Sequence, residues 1–207
     1  MVTRNKNTAR FISDTIHLCS EHSVEFKLVA SSKVPLGNKI YCNGYFWANS
    51  GADNSHKLVV ATKKPIKEWL PILVHESCHL DQYIENPNKF VEDDCIDRWL
   101  NGEKVYDKDI RKGISASKRL ELDCEKRTVR KIKKYNLPID VKEYIQKSNL
   151  YIHFYNWVYL NRRWVPKGKT LYTKPLYSLM NTSFDKSYGV TSNYILNAIS
   201  NEFNSTK

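Results

Sequence analysis

The segment PILVHESCHLDQ, residues 71–82, places two histidines four positions apart, with a glutamate directly after the first. Pro65 and Pro87 bracket this segment and predict a helix between them, because proline suits a first helical turn and disfavours helical geometry in the residue before it. On a helix, His75 and His79 lie on one face and can direct their imidazoles at one point. Zinc accepts two such nitrogens at about 2.0–2.1 Å, so the pair is a candidate zinc site.

Glu76 makes this pattern more informative than two histidines alone. It projects about 100° away from His75 around the helix, so it is poorly placed to be a ligand together with both histidines. It can act instead as general base on a metal-bound water. The alternative is an ordinary helix with two polar histidines, but the preceding residues, Ile-Leu-Val, place them near a core where unpaired imidazoles are costly. We predict that His75 and His79 bind Zn²⁺ and that Glu76 is catalytic.

A catalytic zinc needs a third protein ligand and an open position for water. The continuation HExxHxxGxxH is excluded, because Gln82 and Glu85 stand where it requires Gly and His. In RLELDCEKRTV, residues 119–129, Glu121 falls on the apolar and small-residue stripe of a predicted helix. Buried carboxylates are usually paired or metal-bound, which makes Glu121 the candidate third ligand. Glu125, one turn later, can accept the free ring N–H of a ligating histidine.

Two alternatives to this ligand set stay open. Glu121 and Glu125 can lie at a solvated edge and pair with Lys118 or Arg127. The acidic run at residues 92–94 is a second source of a ligand.

The rest of the chain predicts an α+β fold. The N-terminal helix is followed by a small three- to four-stranded sheet, the HExxH helix and a helical C-terminal half. Pro71 predicts a kink or a restart in the HExxH helix, and Gly44 a bulge or a close approach. The predicted elements are a helix at 8–22, strands at 24–31, 38–49 and 57–62, a helix from about Ser115 to Pro138, and a helix capped by Asp140.

This order of elements resembles the gluzincin branch of the zincin-fold zinc metallopeptidases over roughly residues 8–136. The later helix carries the pattern E-x-x-(small)-(acidic), and the chain is similar in size to SprT-like and small phage metallopeptidase-like proteins. The resemblance implies a zincin-like fold, with Glu121 as third ligand. It also implies that the segment NGYFWAN, residues 43–49, or the strand next to it holds substrate backbone as an edge strand. The chain departs from the family at Cys124 and Glu125, where Ala followed by Asp or Asn is commoner.

We predict a metallopeptidase core at residues 1–137 and a helical, aromatic-rich extension at 138–207, packed on it as one unit. Peptide hydrolysis needs a donor to the developing oxyanion besides the zinc. Tyr155 in the extension is a candidate for this role. The alternative is that the run YIHFYNWVY is only an aromatic packing surface.

Composition limits the partners and the compartment. The 207 residues carry a net charge of +11, which suits a polyanionic partner or reflects lysine-rich composition alone. Arg127, Arg130, Lys131 and Lys134 form the candidate surface for nonspecific nucleic-acid contact. No apolar run reaches the length of a membrane span, and no secretory signal opens the chain. The five cysteines form no CxxC pair. We therefore expect a cytoplasmic protein, located in the host cytoplasm if a phage encodes it.

The function predicted from the sequence is therefore zinc-dependent hydrolysis of peptide bonds in a protein substrate. Two alternatives remain: a catalytically inert, zinc-stabilised binding protein, and a DNA-associated protease that uses the basic surface.

Overall fold

The computed structural model describes residues 5–37, 40–48, 55–90 and 95–205. The protein is a mixed α+β structure, about 59% helical, with a small sheet, which confirms the predicted fold class. The finer assignment to a zincin-like fold stays a prediction. Along the described chain the elements are α1 (Lys6–Glu21), β1 (Val24–Val29), β2 (Val34–Gly37), β3 (Ile40–Cys42), β4 (Gly44–Trp47), β5 (His56–Ala61), α2 (Ile66–Glu85), a 3-10 turn (Pro87–Phe90), α3 (Cys95–Leu100), α4 (Asp107–Lys134), α5 (Val141–Asn161), α6 (Lys174–Tyr177) and α7 (Asn193–Asn204).

Among the described residues, the sheet has three strands in the order β1-β5-β4, and β2 and β3 form a separate antiparallel hairpin. β5 lies parallel to β1 and antiparallel to β4, which leaves β4 at an edge of the sheet. The prediction of one strand over 38–49 was wrong, because the chain divides at Asn43 into β3 and β4. β2 was not predicted, since Pro35 and Gly37 are both unfavourable inside strands; an irregular register between these two residues accommodates them.

α2 continues through Pro71 without a break, so the predicted restart does not occur. Leu70, Leu73 and Val74, which surround the proline, are fully buried. Burial of such an apolar face supplies most of a helix's stability in a protein and offsets the hydrogen bond that proline removes. The continuous helix keeps both histidines in one helical register.

Gly44 is the close approach that the sequence indicated. A Cβ atom at this position would lie 2.8 Å from Ile72 Cγ2, 3.0 Å from the Val59 carbonyl oxygen and 3.1 Å from Val60 Cγ2. The missing side chain therefore lets α2 lie directly against β4. This contact sets the distance between the HExxH helix and the edge strand.

α4 begins two turns earlier than predicted, at Asp107 rather than near Ser115. The stretch before Ser115 is charged and contains Gly113, which suggested a connection. Its buried residues Ile110 and Ile114 are one turn apart and form the apolar face of an additional helical segment. The predicted cap of α5 is confirmed, since the Asp140 side chain accepts hydrogen bonds from two backbone amides of the first turn.

The chain forms two compact units that interleave in sequence. The first comprises residues 1–92 and 124–139, and the second comprises 93–123 and 140–207, so α4 contributes to both. Residues 93–123 thus group with the C-terminal helices, whereas the sequence analysis placed them with the core. The second unit has its own apolar centre on α5, α6 and α7: Leu150, Phe154, Trp157, Val158, Leu176, Met180, Ile199 and Phe203.

In the part of the chain that the structure describes, no helix combines the length and the apolar character that crossing a membrane requires.

Candidate metal centre

The two histidines of α2 face each other as the helical spacing predicts. The Nε2 atoms of His75 and His79 are 3.1 Å apart, and their rings meet edge to face with centroids 4.7 Å apart. His79 is buried and His75 is half-buried. The buried side chains of Leu73, Val74 and Leu80 anchor this part of the helix.

The other ring nitrogen of each histidine lies against an acceptor. His79 Nδ1 is 2.9 Å from the Gln82 side-chain oxygen, and His75 Nδ1 is 3.4 Å from a carboxylate oxygen of Glu125. The Gln82 and Glu125 contacts favour a proton on each Nδ1 and turn the two Nε2 atoms toward each other. Two nitrogens 3.1 Å apart can share a hydrogen bond or bind one cation. The donors present therefore fit a bound metal ion.

α4 supplies the remaining potential ligands. The ligand atoms of His75, Glu121 and Glu125 lie within 4.8 Å of one another, as do those of His75, His79 and Cys124. Glu121 precedes Glu125 by one helical turn on the continuous α4, as the sequence predicts. Glu125 is 5% exposed, so it does not lie at a solvated edge. The residues at 92–94, the other predicted source of a ligand, lie outside the described part of the chain.

Glu76 lies beside the edge strand rather than beside the histidines' shared face. Its Oε2 atom accepts a hydrogen bond of 2.9 Å from the Phe46 backbone amide. Phe46 lies in β4 opposite Leu58 of β5, and β4 has no second partner strand among the described residues. The Phe46 amide therefore points out of the sheet edge, and the glutamate carboxylate is held at that edge.

A half-buried ammonium, that of Lys131, joins α2 to α4 in the first unit. Lys131 Nζ lies 2.8 Å from Asp81 and donates to the Ser77 carbonyl and hydroxyl oxygens at 3.1 and 3.0 Å. Charge-assisted hydrogen bonds of this length are stronger than neutral ones. Lys131 thus fixes the spacing of the two helices one turn from the histidines.

The Cys124 thiol contacts both the Cys78 thiol and the backbone of His75. Cys124 donates a hydrogen bond to the His75 carbonyl oxygen at 3.3 Å, and a side-chain hydrogen bond joins it to Cys78. Burial opposes ionisation of the Cys78 thiol, but its side-chain hydrogen bonds with Cys124 and Thr128 and the charge of Lys131 lower its pKa to about 7. Both cysteines are completely buried.

Two residues of the predicted basic surface form ion pairs within the first unit. Arg127 binds both carboxylate oxygens of Glu85, at 2.5 and 2.6 Å, and Lys131 is paired with Asp81. Arg130 and Lys134 are exposed. Nucleic-acid contact through this face stays a prediction.

Tyr155 belongs to the second unit, on α5. Its hydroxyl is 3.4 Å from that of Tyr151, and its ring packs with Ile110 and Ile114 of α4. Burial raises the pKa of the Tyr155 hydroxyl well above its ordinary value, and the negative charge of Glu121 raises it further. The phenol therefore stays protonated, and its ring packs inside the second unit.

No role was predicted for Gln82, and Cys124 was predicted to be a small buried residue on the Glu121 stripe that departs from the family pattern. Gln82 lies three residues after His79, a spacing that places both on one helical face and was an available signal. Cys124 gave no comparable signal, because its proximity to His75 arises from the packing of α4 against α2.

Compared with known protein families, with curated proteins and with solved structures, the chain has no match in any of the three.

Proposed function

We propose that this protein is a zinc-dependent peptidase whose metal is held by His75, His79 and Glu121. The observation that carries the proposal is the histidine pair, whose Nε2 atoms are 3.1 Å apart while each Nδ1 lies against an acceptor. The pair stands on an HExxH helix beside a helix that carries carboxylates. The ligand types are those of catalytic zinc sites with two histidines and one glutamate. Glu121 is grouped with His75 and Glu125, and His79 is grouped with His75 and Cys124, so His75 is common to both groups.

A bound zinc ion would supply Lewis-acid chemistry, lowering the pKa of a water and polarising a carbonyl. Glu76 takes the proton of the attacking water at its carboxylate and passes it to the leaving amine. The Phe46 amide orients this carboxylate in the absence of substrate. Glu125 and Gln82 hold the two imidazoles in the tautomers that present Nε2.

The edge strand β4 indicates how a substrate would be presented. An extended peptide can add to an exposed strand edge through backbone hydrogen bonds. A peptide laid along β4 would pass next to Glu76, since Phe46 and Glu76 are in direct contact. The proposed substrate is therefore an extended segment of a protein, read mainly through its backbone.

Tyr155 is proposed to donate a hydrogen bond to the developing oxyanion. Its support is the protonated phenol and its position within the electrostatic range of Glu121 in the second unit. Removing one oxyanion donor typically lowers kcat about 10²- to 10³-fold.

The test is zinc content and proteolysis, measured together on four proteins. We expect the wild type and Glu76→Gln to bind one zinc ion per chain and Glu121→Gln to lose it. Glu68→Gln, an exposed carboxylate on the same helix as the histidines, is the matched control and should behave as wild type. Cleavage of an unfolded protein substrate should fall about 10²- to 10⁴-fold in Glu76→Gln, because a positioned general base contributes that much.

Two results would overturn the proposal. One is a wild-type protein that binds no zinc when zinc is supplied. The other is a zinc-loaded Glu76→Gln variant that cleaves as fast as wild type. Retained zinc with no proteolysis in any of the four proteins would favour a zinc-stabilised binding protein instead.

A further inference from the structure

We infer that Glu76 occupies the backbone amide with which the edge strand β4 would bind a peptide, so that a docking peptide displaces the glutamate and releases it. This inference rests on the proposed peptidase function and deepens it, because it states what controls the general base. Every group involved lies in β4, β5 or α2, and all three elements belong to the first unit.

The backbone of β4 presents alternate residues to the open edge of the sheet. In an antiparallel pair, every second residue directs its N–H and C=O groups at the partner strand. The Ala61 amide donates to the Asn43 carbonyl oxygen at 2.9 Å, so Asn43 and, two residues later, Tyr45 face β5 in this way. Gly44 and Phe46 therefore direct their amide and carbonyl groups outward, where an added strand would pair.

A carboxylate already binds the outward amide of Phe46. This N–H donates to Glu76 Oε2 at 2.9 Å, the length of a charge-assisted hydrogen bond. A backbone amide has one proton to donate. The Glu76 carboxylate and the carbonyl oxygen of a docking peptide therefore compete for the same donor.

The strand is fixed at this position, whereas the glutamate can move. The Phe46 ring packs against Tyr83 of α2, with centroids 5.6 Å apart, and the Tyr83 hydroxyl lies 3.0 Å from His56 Nε2 of β5. These contacts hold β4 against both its neighbours. Glu76 is half-buried, so its side chain can turn away from the amide without opening the core.

The competition links substrate docking to release of the base. When a peptide pairs with β4, its carbonyl oxygen accepts the Phe46 N–H, and the Glu76 carboxylate becomes available to a water. A short substrate that does not reach β4 leaves the glutamate bound to the amide. The arrangement therefore selects extended segments of a protein, because these pair with a strand edge.

Peptide affinity, measured by fluorescence anisotropy, tests the competition. The probe is a fluorescein-labelled, uncharged peptide of about eight Thr and Val residues, which favour an extended strand. Glu76→Gln keeps an oxygen that accepts from the Phe46 amide, whereas Glu76→Ala removes it, and neither variant retains the base that cleavage needs. We expect Glu76→Ala to bind the peptide about 2- to 10-fold more tightly than Glu76→Gln, the contribution of one neutral hydrogen bond.

Phe46→Pro supplies the matched background, because proline lacks the N–H for which the two acceptors compete. Proline is tolerated in an edge strand where the amide faces outward. In this background, Glu76→Ala and Glu76→Gln should bind the peptide equally. Phe46→Ala, which keeps the amide and removes the ring, should retain the difference in affinity.

The contrary results separate this inference from the proposed function. Equal affinities of Glu76→Ala and Glu76→Gln with Phe46 in place overturn the competition and leave the peptidase standing, and so does a difference that persists with Phe46→Pro. Absence of peptide binding by every variant overturns both the inference and the proposed presentation of substrate. If the expected differences occur in a protein that binds no zinc and cleaves nothing, the proposed catalysis fails and the competition at β4 stands.

Hydrogen exchange of the Phe46 amide gives a second measurement that does not depend on the proline variant. Hydrogen bonding protects an amide from exchange. We expect this amide to exchange faster in Glu76→Ala than in Glu76→Gln, and added peptide should restore protection in Glu76→Ala. Protection in Glu76→Ala without peptide would overturn the inference.

Discussion

Glu125 is a buried carboxylate that lies next to the His75 imidazole. Its carboxylate lies 3.4 Å from His75 Nδ1, and its 5% exposure makes it one of the few buried acidic side chains in the described chain. A charged group in such a place needs a charged or hydrogen-bonding partner. The imidazole of His75 is that partner, which orients the ring toward His79.

Replacing Glu125 should therefore weaken metal binding without removing a ligand. We expect Glu125→Gln to lower zinc affinity about 10- to 100-fold, because loss of a partner that orients a ligating histidine has effects of this size. Competition with a chromophoric chelator measures the affinity. Glu68→Gln is the control with the same chemical change at an exposed site. An unchanged affinity in Glu125→Gln would show that this carboxylate does not orient His75.

At the scale of elements, the contact between α2 and β4 positions Glu76 at the sheet edge. Gly44 makes the contact possible, because its missing Cβ is the space that Ile72 approaches. The hydrogen bond from Phe46 to Glu76 lies two residues further along the same strand. Both side-chain packing at Gly44 and the hydrogen bond at Phe46 therefore hold β4 against α2.

Gly44→Ala should lower the free energy of unfolding by about 1–3 kcal/mol, the usual cost of overpacking a filled core. The added Cβ would lie within about 3 Å of a side chain and a backbone oxygen, and the backbone oxygen cannot rotate away. Urea unfolding measures the effect. Gly189→Ala is the control, since its nearest neighbour is the Ser187 hydroxyl at 3.6 Å. Equal stability of the two variants would contradict the close approach.

At the scale of the whole molecule, metal binding should be linked to folding. The proposed ligands come from two helices far apart in sequence, so the site does not exist in the unfolded chain. A ligand that binds only the folded state adds about 2.7 kcal/mol of stability at 100 times its Kd. For a chain of this length, each kcal/mol shifts Tm by about 2–4 °C.

Excess chelator should therefore lower Tm of the zinc-loaded protein by about 5–11 °C. Glu76→Gln should show the same shift, because the base is not a ligand, and Glu121→Gln a smaller one. Thermal unfolding followed by circular dichroism measures all three. A wild-type Tm that does not respond to chelator would contradict the linkage.

The sequence predicted local structure correctly where a single helix or strand determines it. The shared face of His75 and His79 follows from helical periodicity, and the Asp140 cap follows from side-chain chemistry at a helix start. The α+β class follows from the alternation of apolar patterns along the chain. The strand at Pro35 and the early start of α4 escaped prediction, because packing outweighed unfavourable local propensities there.

The sequence by itself determined the HExxH helix, its histidine pair and the helix that carries Glu121 and Glu125. Only the tertiary structure decided that Cys124 lies against His75, that Glu76 bonds to β4, and that Lys131 joins two helices rather than facing solvent. The physical reason is the separation along the sequence over which each effect acts. Periodicity and capping act within a few residues, whereas these contacts join segments 30 to 54 residues apart and depend on how buried faces pack.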